Sequence, residues 1–278
     1  MQRSLRTVAP TCLALLALAP AVAADASAQG ALHAPDPPPK GPLLRRRDLA
    51  TAGAALVLTG ALMPFDERVA RWSQRPGLQR SRAAGRAADV FNALGDPGTL
   101  VLSGGTYLVG LAGRRRATAD VGLHATEAIV AASVVTTVGK ALIGRARPYV
   151  VADSNPRDYG LGRGLRRGTA YQSLPSGHAT AAFALAGALA AEGADHWPRL
   201  NRLTGPAGFA AATLVGAARV YRDRHWASDV ALGAGIGAVA GVTVVRYEHA
   251  RPGDDVNRRL LPRAAVGPAP GLSWTVRF

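Results

Sequence analysis

The stretch SLPSGHATAAF, residues 173–183, joins a turn-forming Pro-Ser-Gly to a long run of small apolar residues. The run predicts a helix over 178–192 with Ser176 as its N-cap. The first turn of such a helix presents unpaired N–H groups and the positive end of the helix dipole, which attract a bound oxyanion. His178 would then border the anion. On its own, the stretch is equally explained as an ordinary N-cap followed by a histidine.

The rest of the chain, from residue 43 onward, has apolar helical patterns separated by Gly, Pro and Arg clusters. The other predicted helices cover 48–63, 66–75, 79–93, 98–112, 119–146, 205–220 and 227–248. We expect Pro148 to end the helix over 119–146, and HWPRLNR, residues 196–202, to be a loop. The C-terminal GLSWTVRF, residues 271–278, alternates apolar and polar residues, which predicts a strand or hairpin. The predicted fold class is therefore all-α, a helical bundle with a short C-terminal β-hairpin or strand.

The N-terminal residues predict the cellular compartment. Arg3 and Arg6 precede an apolar stretch over 8–22, and small residues follow, as in a cleaved secretory signal. The expected divisions are a signal peptide at 1–24, a Pro-rich linker at 25–42, a helical domain at 43–250 and a C-terminal tail at 251–278. The single cysteine, Cys12, lies inside the signal, so we expect no disulfide in the mature chain. The mature protein is expected in the periplasm or cell envelope.

The charge of the chain indicates an anionic partner. The sequence has 33 basic and 18 acidic residues, a formal charge of +15, and Lys40 and Lys140 are the only lysines. A surface this basic favours phosphate esters, acidic lipid headgroups or nucleic acid as partners. The charge alone does not choose among them.

The first polar cluster is KALIGRARP, residues 140–148. On one continuous helix, the spacing of Lys140 and Arg147 would place both cations on the same face, where they can clamp one anion. A solvated basic stripe is the competing explanation in a chain so rich in arginine. Earlier on the same helix, His124 and Glu127 are expected to be packed or solvated residues.

The second cluster is ARVYRDRHWASD, residues 218–229. Arg219 can reach an anion from the end of one helix, while His225 and Asp229 share a face at the start of the next. A carboxylate on one imidazole nitrogen fixes the tautomer and leaves the other nitrogen free to attack. A surface ion pair beside a turn is the alternative interpretation.

In chain order the motifs are K-x6-RP, PSGH and R-x5-H-x3-D, between residues 140 and 229. This order resembles the type 2 phosphatidic acid phosphatase family, which shares its fold with bacterial acid phosphatases and vanadium haloperoxidases. The resemblance implies a helical bundle of that type. It also implies hydrolysis of a lipid phosphate, prenyl diphosphate or small phosphomonoester through a phosphohistidine. The implied partners are the phosphate ester and an anionic membrane surface, with no nucleic acid; no oligomeric state is implied.

The resemblance also assigns roles. The residues that would bind the phosphoryl oxygens are Lys140, Arg147, Ser176, Gly177 and Arg219. His225 would be the nucleophile, Asp229 would orient it, and His178 would protonate the leaving alcohol. No metal or cofactor is implied, since cations and a helix terminus stabilise the phosphoryl group. Ala218 replaces the family's usual serine, and losing one hydrogen bond of about 1 kcal/mol predicts a weaker site rather than an inactive one.

Two other functions stay open. A vanadate-dependent haloperoxidase would hold vanadate as cofactor in the same pocket, although its usual large helical additions are missing. A non-catalytic cationic envelope protein would need neither His225 nor Asp229. The Gly- and Arg-rich segment 149–172 is expected to frame the pocket, with Tyr159 and Tyr171 as candidate substrate contacts.

The apolar stretches bear on membrane attachment. Most of them, such as 49–63, 98–112 and 179–191, are shorter than the roughly 20 residues of a spanning helix. The mean hydropathy is only +0.08. Counting six spans after a cleaved signal places the three motifs on the cytoplasmic side, and the opposite count leaves six arginines between Arg68 and Arg86 outside. We therefore expect a soluble or peripherally attached enzyme; the alternative is a multi-pass inner-membrane protein whose site faces the periplasm.

Overall fold

The computed structural model describes residues 43–250 and the backbone of two short strands at 263–265 and 271–273. The helices are α1 (Arg46–Leu62), α2 (Asp66–Ser73), α3 (Pro76–Gln79), α4 (Arg82–Gly95), α5 (Gly98–Ala112), α6 (Arg116–Ile143), α7 (Arg163–Arg166), α8 (Gly177–His196), α9 (Pro198–Tyr221) and α10 (Ala227–His249). The strands are β1 (Arg263–Ala265) and β2 (Gly271–Ser273). Single turns of 3-10 helix lie at Met63–Phe65, Pro148–Val150 and Thr169–Tyr171. The predicted signal peptide and linker, residues 1–42, lie outside the described residues.

Helix α8 forms the centre of the bundle. One apolar cluster joins α8 to α6 and α10 through Ala125, Ala128, Ile129, Ala132, Ala181, Ala184, Ala188 and Val245. A second cluster joins α8 to α9 through Ala182, Ala186, Ala212 and Val215, with Phe91, Phe183 and Phe209 packed against it. Because α8 is covered on several sides, its sequence is a nearly continuous run of small apolar residues rather than an amphipathic pattern. The all-α bundle predicted from the sequence is confirmed.

Glycines allow α10 to approach α8 closely. A Cβ on Gly237 would lie 2.2 Å from the carbonyl oxygen of Thr180, and one on Gly241 would lie 2.5 Å from that of Ala184. Side chains do not fit at these distances, so the packing requires glycine at both positions. At the ends of the two helices, the Ser176 N–H donates to the carbonyl oxygen of Asp229 at 3.0 Å. The contact therefore aligns the N-terminal ends of α8 and α10, where two of the three motifs lie.

Helix α6 ends earlier than predicted. Its last residue is Ile143, and Gly144 follows in the left-handed conformation, φ 59° and ψ 43°, which is common directly after a helix. The expectation that Pro148 ends this helix, with Lys140 and Arg147 on one helical face, was wrong. Arg147 lies in extended backbone, φ −75° and ψ 156°. The two cations are therefore carried by different backbone segments.

Helix α9 begins earlier than predicted. Pro198 is its first residue, a position where the missing proline N–H removes no helical hydrogen bond. Because the helix starts here, the expected loop over 196–202 is not present. The helix also continues through Pro206. Only Trp197 separates α9 from the end of α8. The proline and the polar residues of this stretch resemble a loop in composition but are accommodated in the first turns of a helix.

The two strands form an antiparallel pair in which Ala264 is opposite Leu272. The predicted C-terminal hairpin is therefore present within the described residues. Residues 274–278, which were also predicted to be extended, lie outside them.

Three segments of the described chain are long and apolar enough to cross a membrane, namely Arg46–Ser73, Arg116–Val150 and Ala227–His249. Large apolar side chains project outward from the bundle: Val57 of α1 is 73% exposed, Val101 of α5 66% and Val134 of α6 59%. An apolar outer surface spread over several helices suits lipid contact, whereas soluble proteins seldom expose one. These findings favour a membrane protein.

The expectation of a soluble or peripheral enzyme rested on apolar runs that were too short. The helix Gly98–Ala112 is indeed short. The other segments are longer than their uninterrupted apolar runs because isolated polar residues, such as Thr59 and Thr136, are buried within the bundle. Burial of these side chains is invisible in a hydropathy pattern.

The contact between α8 and α10 gives a stability prediction. Gly237→Ala should lower the free energy of unfolding by about 1–3 kcal/mol, because the added methyl group meets backbone that cannot easily move. The measurement is thermal unfolding in detergent followed by circular dichroism.

Gly104→Ala is the matched control, because nothing lies within 4 Å of a Cβ at that helical position. Its helix propensity should stabilise the protein by up to about 1 kcal/mol. Equal effects of the two variants would contradict the packing described above.

Candidate active site

The N-terminal end of α8 faces the ammonium group of Lys140. Ser176 is the N-cap of α8, and its Oγ accepts a hydrogen bond from the N–H of Ala179 at 3.5 Å. The Nζ of Lys140 lies 3.3 Å from the position that a Cβ on Gly177 would occupy. A cation beside the first turn of a helix faces the positive end of the dipole, which is unfavourable unless an anion is bound between them. The arrangement therefore suits a shared anionic ligand.

Arg147 is positioned by backbone carbonyl groups. Its Nε donates to the carbonyl oxygen of Thr169 at 2.9 Å, and its Nη1 donates to that of Arg224 at 3.3 Å. Its own N–H donates to the carbonyl oxygen of Ala170 at 3.0 Å. The segment 149–172 thus fixes this guanidinium beside the turn that precedes α10.

Arg219, in the last turn of α9, is nearly buried and has an unused donor. Its Nη1 donates to Oδ1 of Asn92 in α4. Its Nε is buried and makes no hydrogen bond to any described residue. Burial, followed by the positive charges of Arg147 and Arg224, lowers the pKa of Arg219 to about 10. The group remains charged at neutral pH, and its buried N–H suits a ligand that can accept a hydrogen bond.

The ring of His225 is oriented by a backbone carbonyl. Its Nδ1 lies 2.8 Å from the carbonyl oxygen of Ser173. A carbonyl oxygen only accepts, so Nδ1 carries the proton and Nε2 keeps its lone pair. Oδ2 of Asp229 is 3.6 Å from Nδ1, beyond hydrogen-bond range. Asp229 reaches the ring less directly, because it accepts a hydrogen bond from the hydroxyl of Ser173 at 2.5 Å.

Asp229 belongs to a buried ionic bridge. Arg145 donates from Nη1 to Oδ1 of Asp229 at 2.6 Å and from Nη2 to Oδ2 of Asp66 at 2.7 Å. The other oxygen of Asp66 accepts from the N–H of Ser228 at 2.9 Å. The exposed fractions are 0% for Asp66, 1% for Arg145 and 0% for Asp229. The bridge connects the start of α2, the segment after α6 and the start of α10.

The guanidinium of Arg145 is enclosed on all its donor positions. The carbonyl oxygen of Pro156 accepts from Nε at 2.9 Å and from Nη2 at 2.7 Å. The rings of Tyr159 and Trp226 lie 5.2 Å and 5.4 Å from its Cζ. Tyr159 therefore supports the bridge, and its contact with substrate stays a prediction.

Burial and positive charge keep both imidazoles neutral. Burial, followed by the effects of Arg219, His225, Lys140 and Arg147 in that order, lowers the pKa of His178 to about 3. Burial lowers the pKa of His225 to about 4, opposed by the carboxylate of Asp229. The same cations act on both rings, so these side chains share one region of the molecule.

The structure brings together the sequence-predicted residues Lys140, Arg147, Ser176, Gly177, His178, Arg219, His225 and Asp229. Sequence reasoning missed three supporting residues. Arg145 lies inside the first motif but differs little from the other arginines of the chain. Asp66 indicates only a helix start in sequence, and Ser173 acts partly through its backbone, which carries no sequence signal.

Tyr171, the second tyrosine expected to contact substrate, stacks on another arginine of its own segment. The Cζ of Arg163 lies 4.3 Å from its ring centre. Ala218, at the position that differs from the expected motif, is buried in α9 with 4% exposure.

Comparisons with known proteins find similarity in both sequence and fold. A family model described as the PAP2 superfamily matches residues 122–252. A lipid A 1-phosphatase of Porphyromonas gingivalis is 39% identical over 87 residues, which cover 31% of this chain. The match spans only 19% of that relative's length.

A solved structure has a similar fold. The crystal structure of a transmembrane PAP2 type phosphatidylglycerolphosphate phosphatase from Bacillus subtilis matches with a TM-score of 0.52 and 21% identity. The match covers 74% of this chain and 97% of the other. At this identity the likeness concerns the fold.

The buried bridge gives a second stability prediction. Asp66→Ala should destabilise the protein by about 3–5 kcal/mol, because it leaves the enclosed guanidinium of Arg145 with one carboxylate instead of two. The control is Glu67→Ala, one residue away. It removes the ion pair between Glu67 and Arg71, whose side chains are 37% and 63% exposed, and should change stability by less than about 1 kcal/mol. Thermal unfolding of both variants in the same detergent measures the difference. Similar shifts would show that the bridge does not hold these segments together.

Proposed function

Because the chain belongs to the PAP2 superfamily, we propose that it is a metal-independent phosphatase acting on a lipid phosphate ester through a phosphohistidine at His225. The observation that carries the proposal concerns the three cations of the candidate active site. Lys140, Arg147 and Arg219 converge near one helix N-terminus, and none of them forms a salt bridge with a carboxylate in residues 43–250. Cations gathered without carboxylates suit a polyanionic ligand such as a phosphoryl group.

The phosphoryl group would lie over the start of α8. Its oxygens would accept hydrogen bonds from the side chains of Lys140, Arg147 and Arg219, from the hydroxyl of Ser176 and from the N–H of Gly177. Positioning and charge stabilisation contribute most of the catalysis in phosphoryl transfer. These groups supply the positive charge that a divalent ion provides in other phosphatases, so no metal is needed in the proposed step.

His225 has the tautomer that the proposed attack requires. Its Nδ1–H donates to the carbonyl oxygen of Ser173, and the lone pair of Nε2 attacks the phosphorus atom. A P–N bond forms while the P–O bond to the leaving alcohol breaks. Water then attacks the phosphohistidine, which releases phosphate and restores the imidazole. Asp229 stabilises the positive charge that develops on the ring.

His178 would donate the proton to the leaving alcohol. In the ligand-free protein burial and the surrounding cations keep the pKa of His178 at about 3, so the ring is neutral at neutral pH. A bound phosphoryl group brings negative charge against those cations and raises the pKa of His178. Protonation of the acid is therefore linked to binding of the substrate.

Two observations support a lipid substrate. One relative is named as a lipid A 1-phosphatase and the similar fold as a phosphatidylglycerolphosphate phosphatase. The outer surfaces of α1, α5 and α6 are apolar, which suits a protein surrounded by the substrate's own bilayer. The N-terminal signal pattern supports a site on the side of the membrane away from the cytoplasm.

Substrates with different leaving groups distinguish the proposed roles of the two histidines. His225→Gln should reduce phosphate release by at least about 10³-fold with both p-nitrophenyl phosphate and a detergent-solubilised lipid phosphate, because no other group replaces the nucleophile. His178→Gln should lose about 10²–10⁴-fold with the lipid phosphate but much less with p-nitrophenyl phosphate, whose phenolate leaves without a proton.

The assay is phosphate release in the presence of a chelator, with vanadate as inhibitor and acid-labile labelling of the protein as the sign of phosphohistidine. Activity of His225→Gln equal to wild type would contradict the proposed mechanism. Equal losses of His178→Gln on both substrates would remove the acid role alone.

A substitution at Ala218 is predicted to increase activity. Ala218→Ser should increase kcat/KM by about fivefold, because one added neutral hydrogen bond near Arg219 is worth about 1 kcal/mol. Ala212→Ser is the matched control, since Ala212 is also buried in α9 but packs in the apolar cluster with α8. This control should lower stability without raising activity. An unchanged or lower kcat/KM for Ala218→Ser would show that the site does not lack this hydrogen bond.

A further inference from the structure

A second polar cluster lies at the opposite end of the bundle from the candidate active site. It consists of His124 on α6, Glu192 and His196 on α8, and His249 on α10. Along each of these helices, the cluster is separated from the active-site residues by 14 to 20 residues, which is about 20–30 Å. The proposed phosphatase mechanism uses none of these four side chains.

Three imidazoles surround one buried carboxylate. Nδ1 of His124 lies 2.5 Å from Oε1 of Glu192, and Nε2 of His249 lies 3.2 Å from both oxygens. Nε2 of His196 lies 3.3 Å from Oε2. The ligand atoms of His124, Glu192 and His249 all lie within 4.8 Å of one another. Three donors from three helices therefore lie close together, and His196 contacts the second oxygen of the same carboxylate.

The composition of the cluster is unusual for this chain. The sequence contains only four glutamates, Glu67, Glu127, Glu192 and Glu248, against 33 basic residues. Three of the four lie here, since Glu127 and Glu248 also surround His124. Three of the chain's six histidines lie here as well. A strongly basic chain thus concentrates its carboxylates and imidazoles where a cation would be bound.

The distances suit a zinc ion. Zinc binds imidazole nitrogen at about 2.0–2.1 Å and carboxylate oxygen at about 2.0–2.2 Å, so the edges of a tetrahedral site are about 3.3 Å long. The distances of Glu192 to His249 and to His196 are 3.2 Å and 3.3 Å. To admit the ion, the contact with His124 has to lengthen, and the ring of His196, which contacts Oε2, has to join the close group of His124, Glu192 and His249. Three histidines and one glutamate complete a four-coordinate site.

An outer carboxylate supports this interpretation independently. Oδ2 of Asp195 lies 2.9 Å from Nδ1 of His249, the ring nitrogen that does not face Glu192. Histidine ligands of zinc commonly donate their second N–H to a carboxylate, which fixes the tautomer and orients the ring. In addition, His196 and His249 are the last residues of α8 and α10, where the negative ends of two helix dipoles favour a cation.

We propose that His124, Glu192, His196 and His249 bind a divalent zinc ion that fastens α6, α8 and α10 together at the end of the bundle away from the phosphatase site. His196 and His249 are about one-third exposed, which gives the ion a path from solvent. The ion takes no part in phosphoryl transfer. Because it binds the folded bundle through three helices, it stabilises the folded state.

The test uses the full chain in detergent, without a polyhistidine tag and stripped of metal by a chelator. Zinc binding is measured by equilibrium dialysis, the coordination by the visible absorption of bound Co²⁺, and the stabilisation by thermal unfolding. We expect one zinc per chain and a Tm that rises with zinc concentration but not with Mg²⁺.

Four variants decide the assignment. His249→Gln should weaken zinc binding by at least tenfold, and His249→Cys, which restores a ligand, should recover it. Asp195→Asn changes a largely exposed side chain and should weaken binding by about tenfold or more while leaving the fold intact. His225→Gln, a histidine outside the cluster, should bind zinc as wild type does.

Failure to bind one zinc per chain would overturn the proposal, as would unchanged affinity in both His249→Gln and Asp195→Asn. None of these readouts depends on turnover. A failed zinc site and a failed phosphatase assignment are therefore separate results.

Discussion

The buried bridge from Asp66 through Arg145 to Asp229 is the interaction on which the site depends. Two carboxylates and one guanidinium lie almost without solvent contact, so each must be hydrogen-bonded to offset its desolvation. The bridge holds Asp229, which accepts a hydrogen bond from the hydroxyl of Ser173, and the carbonyl oxygen of Ser173 orients His225. A network that begins at α2 therefore determines which nitrogen of the candidate nucleophile is free.

The bridge also explains how acidic and basic groups coexist so close together. Arg145 is committed to carboxylates, whereas Lys140, Arg147 and Arg219 form no salt bridge in the described part of the chain. The carboxylates of Asp66 and Asp229 are therefore paired with Arg145 rather than with the site cations. Backbone carbonyls hold Arg147 and Asn92 holds Arg219, and a bound phosphoryl group would relieve the repulsion among the three cations.

The two ends of helix α8 favour ligands of opposite charge, and each of the two proposed sites lies at one of these ends. Its N-terminal end, with unpaired N–H groups, lies among cations and favours an anion. Its C-terminal end carries Glu192 and His196 beside His124 and His249, and favours a cation. The small residues between these ends allow α6, α9 and α10 to pack closely around it. The same helix therefore organises two sites of opposite charge preference.

The sequence determined the helical class, most helix positions and the residues of the three motifs, because periodicity and short-range spacing are local properties of the chain. The end of α6 at Gly144, the start of α9 at Pro198 and the lipid-facing surface depended on which residues are buried, which spacing does not encode. Only the tertiary structure decided that Lys140 and Arg147 come from different segments and that Ser173, rather than Asp229, accepts the hydrogen bond from His225. It also brought Asp66 to Arg145 across 79 positions of sequence. Such pairings follow from the packing of helices, and local sequence carries no record of them.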